Sequence, residues 1–115
     1  MEQLNRIELR GNVGNITLQS VGTRIAARFT LATNYAYKDK EGAAVIETTW
    51  HNINAWQGRG VCNLRDIQKG SKVYVSGRLR TQKFVGADGE DRYSYEVVAR
   101  TVSLIDVEDS LQYEF

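Results

Sequence analysis

Two tryptophans alternate with two asparagines along residues 48–56, TTWHNINAW. Strands favour Trp, Ile and Thr, and successive side chains of a strand point to opposite faces. The pattern therefore predicts a β-strand that presents Trp50, Asn52, Asn54 and Trp56 on one face. Core faces rarely hold asparagine, and a face turned to water rarely holds two tryptophans. We interpret this face as a wet surface on which flat ligands stack.

Further aromatic and basic side chains fall on outward strand positions or in turns. They are Arg6 and Arg10 of a first strand, Tyr35, Tyr37, Lys38 and Lys40 of a predicted loop, and Tyr74, Arg78, Arg80, Lys83 and Phe84 of a fourth strand. Unpaired bases stack on aromatic rings for about 1–3 kcal/mol each, and phosphates attract Arg and Lys. Asparagine can hydrogen-bond a base edge or a sugar. The mixture favours single-stranded nucleic acid, bound with little regard to base sequence.

Five strand patterns carry these residues, over 6–13, 24–33, 45–56, 71–84 and 92–105. The segments between them, such as GNVGN and GADGED, are rich in the turn-forming residues Gly, Asn and Asp. Residues 60–70, GVCNLRDIQKG, instead space their apolar residues as a helix does and end on Gly70. We predict an all-β fold, a five-stranded Greek-key OB-fold barrel with one short helix between strands 3 and 4.

Charge is unevenly distributed along the 115 residues. Residues 1–105, the predicted binding domain, hold 15 Lys and Arg against ten Asp and Glu, whereas the predicted tail, 106–115, holds four acids and no base. A basic body with an acidic tail is typical of proteins that bind polyanions. No apolar run approaches the roughly 20 residues that span a bilayer, and no signal peptide is visible. With a single cysteine, Cys62, we expect a cytoplasmic protein.

Enzyme chemistry finds little support in the sequence. No cluster of Cys and His could hold zinc, and no Gly-rich loop ends in a Lys that precedes Ser or Thr. The one histidine, His51, has no serine or cysteine motif near it. We therefore expect neither catalysis nor a metal or other cofactor. We assign His51 to packing or to an interface, and Cys62 to packing. Tyr93 and Tyr95 share a face with Val97, which predicts core or interface positions.

Several segments resemble the bacterial single-stranded DNA-binding protein family. The matching segments are NRIELRGNVGN (5–15), RFTLATNYAYKDKEG (28–42), ETTWHNINAW (47–56), KGSKVYVSGRLRTQKF (69–84) and DGEDRYSYEVVA (88–99). The most specific is G-S-x-V-Y-V-x-G-x-L-R-T, followed by DG-x-x-R-Y. The resemblance covers nearly all of residues 5–105.

The resemblance implies function, site residues and assembly. Its stacking positions fall on Tyr37, Trp50, Trp56 and Phe84, with Tyr74 nearby. From the residues themselves we expect the phosphate and polar contacts at Arg6, Arg10, Lys38, Asn52, Asn54, Arg78, Arg80 and Lys83. Family members coat single strands during replication, recombination and repair, so we expect a nucleoid-associated protein. They are usually homotetramers, and His51 matches a position near the subunit interface, on the face opposite the tryptophans.

The C-terminus departs from the family pattern. Family members typically end in a long Gly/Pro/Gln-rich linker and an acidic tip that recruits replication and repair proteins. Here EDSLQYEF follows the barrel almost directly, so recruitment through a tail ending in Phe115 stays open. Two other functions remain: a dimeric primosomal replication-restart protein that acts mainly through protein partners, and an OB-fold that recognises proteins or oligosaccharides.

Overall fold

Five strands make up most of residues 2–105, the part of the chain described by the computed structural model. They are β1 (Ile7–Val21), β2 (Arg24–Lys38), β3 (Ala44–Trp56), β4 (Lys72–Val85) and β5 (Asp91–Leu104). The strands close into a barrel in the order β1–β2–β3–β5–β4, with β4 also paired to β1. The contact between β3 and β5 is parallel, and the other pairs are antiparallel. The predicted five-stranded all-β barrel is confirmed.

The barrel interior is filled by one side of each strand. Leu31, Ile53, Val73, Val75 and Val102 are each at most 2% exposed, and each fully buried apolar side chain of this size contributes about 1.5–3 kcal/mol. Their spacing follows the period of two that alternating strands impose. The core therefore fixes which residues face outward.

The connection between β3 and β4 contains a single 3-10 turn, Leu64–Asp66, where the sequence pattern predicted a helix over 60–70. The side chain of Gln57 holds the connection in place. Its amide donates to the carbonyls of Val61 and Cys62 and accepts from the backbone N–H of Leu64. Leu64 is fully buried, so its helix-like spacing from Ile67 reflects burial at one end of the barrel.

Strands β1 and β2 are longer than predicted. The GNVGN segment, predicted as a turn, lies inside β1, where the register with β2 shifts between Val13 and Ile16. Tyr35, Tyr37 and Lys38, predicted in a loop, belong to β2. Strand β2 continues through Tyr35, Tyr37 and Lys38 because each of these three residues pairs in register with a residue of β3.

Two hairpins extend beyond the barrel as two-stranded arms. Residues 33–38 pair only with residues 44–49, which defines the β2–β3 arm, and residues 81–85 pair only with 91–95, which defines the β4–β5 arm. At the tip of the first arm, the carboxylate of Asp39 accepts hydrogen bonds from the backbone N–H groups of Glu41 and Ala43, at 2.9 Å each. The arms carry Tyr37 and Phe84, two of the predicted site residues.

Candidate nucleic-acid interface

The outer side of β2 and β3 carries both tryptophans. The two strands pair without a register shift from Ala26 opposite Trp56 to Lys38 opposite Ala44. Partners in an antiparallel pair share a face, so even-numbered residues of both strands form one surface, which we call the tryptophan face. Trp50 is 59% exposed and Trp56 is 37% exposed. The alternation predicted for residues 48–56 is therefore present in the structure.

Two arginines of β2 join this face, and neither belongs to the set predicted from the sequence. Arg28 pairs in register with Asn54. The guanidinium carbon of Arg24 lies 4.8 Å from the centroid of the Trp56 ring, within the range of a cation–π interaction. The signal that could have found them is the same period of two: Arg24 and Arg28 stand at even spacing in RIAARFT, on the strand that pairs with the tryptophan strand.

The backbone of β1 at Gly14 lies against the Trp50 ring. A Cβ atom at Gly14 would lie 2.6 Å from Cζ3 of Trp50 and 2.6 Å from Oγ1 of Thr30. The same hydroxyl of Thr30 accepts a hydrogen bond of 3.0 Å from the backbone N–H of Asn15. The Trp50 ring therefore rests close to the β1 backbone, and only glycine at position 14 leaves it that room.

Tyr37 lies on the other side of the β2–β3 arm. It pairs in register with Val45, and its ring stacks on Tyr35 with centroids 6.1 Å apart and planes inclined by 29°. Lys38, one residue on, points to the side of the tryptophans. The structure thus brings Lys38 but not Tyr37 onto the tryptophan face.

Tyr74 lies on a different part of the barrel wall, because β4 borders β1 and β5 and not β2 or β3. Arg10, on β1, lies between that wall and the tryptophan face, since Asn12 on the same strand is in register with Ala32 opposite Trp50. Arg10 pairs in register with Tyr74. The hydroxyl of Tyr74 donates to Oε1 of Glu8 at 2.7 Å, and Nη2 of Arg6 lies 3.5 Å from the same oxygen. The hydrogen bond from Tyr74, assisted by the charge of Arg6, lowers the pKa of Glu8, and the carboxylate in turn raises the pKa of Tyr74.

The cations predicted on β4 differ in their partners. Arg80 forms an ion pair with Glu96, a nearly buried carboxylate. Lys83 lies 3.1 Å from Asp91 in an exposed pair. Arg78 is exposed and forms no ion pair with another of residues 2–105. Phe84 is 47% exposed near the tip of the β4–β5 arm.

His51 is half-buried on the side of β3 opposite the tryptophans. Its Nε2 lies 2.8 Å from Oγ1 of Thr33, and burial lowers its pKa. Tyr93 and Tyr95 are 63% and 67% exposed. The sequence predicted a core or an interface position for these tyrosines. The core position is wrong, because both residues lie on the β4–β5 arm, outside the barrel interior.

No group of three His, Cys, Asp or Glu side chains that could hold a metal ion occurs within residues 2–105. Over the same residues, no helix is long and apolar enough to cross a membrane.

The part of the chain that resembles known proteins is nearly the same as the barrel. The model of the single-strand binding protein family matches residues 4–105. Proteins named single-stranded DNA-binding protein from Xanthomonas campestris and Xylella fastidiosa are 35% and 34% identical to this chain over 104 and 105 residues. Each alignment covers 89% of this chain, and 60% and 63% of the two relatives. The chain therefore spans about three fifths of the length of these relatives.

Two solved structures share the architecture. The complex of Plasmodium falciparum SSB with ssDNA superposes with a TM-score of 0.75 at 27% identity, covering 92% of this chain and 98% of that one. A variant of the Thermus aquaticus single-stranded DNA binding protein gives a TM-score of 0.70 at 22% identity, covering 90% and 51% of the two chains. The second likeness establishes the fold alone.

Proposed function

The chain belongs to the single-strand binding protein family, and we propose that it binds single-stranded DNA through the tryptophan face. One observation carries the proposal. The β2 and β3 residues of this face include two exposed indoles and three cations, Arg24, Arg28 and Lys38, but no carboxylate. A polyanion with flat bases fits such a surface, whereas a neutral oligosaccharide carries no charge that would pair with the cations.

The mechanism follows from the two parts of a nucleotide. Bases stack on Trp50 and Trp56, and Asn52 and Asn54, which stand between the indoles, hydrogen-bond base edges or sugars. Arg24 and Lys38 neutralise phosphates and release counterions, so binding weakens as salt rises. Every base has a π face, so affinity depends little on sequence. No bond is made or broken, and the protein acts without catalysis or cofactor.

In this proposal the bound DNA strand continues onto both arms. Tyr37 and Phe84 stack bases there, and Tyr74 does so on the β4 wall. The proposed phosphate contacts outside the tryptophan face are Arg6, Arg10, Arg78, Arg80 and Lys83. Because Tyr37 lies on the reverse of its arm, a strand that reaches both Tyr37 and Trp50 must pass around the arm.

Titration with oligo-dT, followed by intrinsic tryptophan fluorescence at low and then high salt, tests the proposal. Stacking quenches indole emission, so we expect strong quenching that weakens with salt. Trp56→Ala should weaken binding by about five- to 150-fold, the equivalent of about 1–3 kcal/mol per stacked base, for every base composition. A folded wild-type protein that shows no quenching and no binding would refute the proposal.

The cellular role and assembly complete the proposal. We propose that residues 1–105 form the binding domain of a homotetramer, with His51 near a subunit contact, which coats exposed strands at the nucleoid during replication, recombination and repair. Exposed Tyr93 and Tyr95 support a further contact between chains. Residues 106–115 lie outside the described residues, and recruitment of replication and repair proteins through them stays a prediction.

A further inference from the structure

A shallow groove of about 110 Å³ crosses β1, β2 and β3 beside Trp56. Its lining consists of Thr17, Gln19, Val21, Ala26, Arg28, Asn54 and Trp56. Strand register explains the shape. One row runs from Gln19 through Ala26 to Trp56, and the next runs from Thr17 through Arg28 to Asn54. The small side chain of Ala26 lies between two large neighbours, and this opens the groove at the foot of the indole.

Arg24 braces the indole from outside the groove. Its guanidinium carbon lies 4.8 Å from the Trp56 ring centroid, yet Arg24 does not line the groove. The cation–π contact therefore takes up part of the ring surface and favours one orientation of the ring. The part of Trp56 that borders the groove stays open for a base.

Arg28 lies in the second row, beside the place where a base on Trp56 would extend. Rows two residues apart on a strand are separated by about 7 Å, so a base against Trp56 brings its edge toward Arg28 and Asn54. Arg28 is exposed and forms no ion pair with any other of residues 2–105. The groove contains no carboxylate, so nothing in its lining neutralises the guanidinium.

The donors of Arg28 match the acceptors of one base better than those of another. A guanidinium is a planar fork of N–H donors with no acceptor. Guanine presents two neighbouring acceptors, O6 and N7, which match that fork, whereas adenine places an amino donor beside its N7. Asparagine and glutamine can adapt to either base, but the arginine cannot.

We propose that this groove binds one base of the strand against Trp56, and that Arg28 reads its edge so that guanine is preferred at this single position. The inference rests on the proposed function, since the remainder of the strand is held by stacking and charge. It makes Arg28 a specificity-determining residue within a surface that otherwise tolerates any sequence.

Short oligothymidylates with one central substitution test the inference. The substitutions are dG, dA and 7-deaza-dG, which keeps the stacking surface of guanine but lacks the N7 acceptor. The Kd of each is measured by tryptophan quenching at one salt concentration. We expect dG to bind about fivefold or more tighter than dA, the lower limit for a bidentate contact, with 7-deaza-dG between them.

Arg28→Lys keeps the charge and removes the fork, so the ratio of the dA and dG constants should fall to about one. Arg65→Lys, on the 3-10 turn, is the matched control and should keep the wild-type ratio. Equal affinities for dG and dA in the wild type would overturn this inference alone. A preference that survives in Arg28→Lys would also overturn it, as would an Arg28→Lys effect confined to the salt slope. Failure of the wild type to bind any oligonucleotide would overturn the proposed function and this inference with it.

Discussion

At the scale of single residues, the partner of a cation decides what that cation can do. Arg78 and Arg80 stand two positions apart on β4, and the sequence gives no ground for treating them differently. In the structure Arg80 is paired with the nearly buried Glu96, whereas Arg78 forms no ion pair within residues 2–105. Glu96 stands on β5 directly opposite Arg80, and only the register between the two strands reveals that.

This difference predicts unequal effects of two alanine substitutions. Arg78→Ala should reduce the slope of log K against log salt by about 0.7, the value for one phosphate on a single strand. Arg80→Ala should change the slope less and should instead lower the free energy of unfolding by about 1–3 kcal/mol, because Glu96 loses its partner. Binding isotherms at several salt concentrations and urea unfolding measure the two quantities. Equal slope changes would mean that Arg80 leaves Glu96 for the DNA.

At the scale of elements, the strands determine which aromatic residues share a surface. The strand over residues 48–56 could be predicted because its period of two is strict and two asparagines mark one face as exposed. Strand order, register and the length of the arms depend on contacts between residues distant in the sequence. The alternating pattern alone therefore could not predict that Tyr37 lies on the side of its arm opposite the tryptophans, or that β1 continues through GNVGN. The pattern in 60–70 suggested a helix because burial of Leu64 and Ile67 imitates helical spacing.

The close approach of β1 to Trp50 predicts the result of a glycine substitution. Gly14→Ala places a methyl group 2.6 Å from the Trp50 ring, so the ring must move away from the β1 backbone. The exposed ring can turn, but the methyl group would also lie 2.6 Å from Oγ1 of Thr30, which accepts from the backbone N–H of Asn15. We therefore expect a moderate fall in Tm and a several-fold loss of affinity for oligo-dT. Gly58→Ala, where an added Cβ meets nothing within 4 Å, is the matched control. A full quenching amplitude and unchanged affinity in Gly14→Ala would show that the position of Trp50 is unimportant.

At the scale of the whole molecule, one side of β4 and β5 exposes two tyrosines, Tyr93 and Tyr95, that the proposed DNA contacts do not use. On one side of β4 and β5, Leu79, Val85, Tyr93 and Tyr95 lie together by register with Lys83 and Asp91, which form an exposed ion pair. The first four side chains are between 39% and 68% exposed. Exposed tyrosines among apolar and polar side chains are typical of contacts with another protein. A second copy of the chain is the partner that the proposed homotetramer requires.

Assembly can be measured directly by size-exclusion chromatography with light scattering. We expect a mass of four chains of 13.0 kDa each for the wild type and a smaller assembly for Tyr95→Ser, because removing an exposed ring from the contact loses its buried apolar area. Tyr35→Ser, at a comparably exposed tyrosine of the other arm, should keep the wild-type mass. A tetramer unaffected by Tyr95→Ser would place the contacts elsewhere. A wild-type dimer would favour the replication-restart function, in which protein partners matter more than wrapping of the strand.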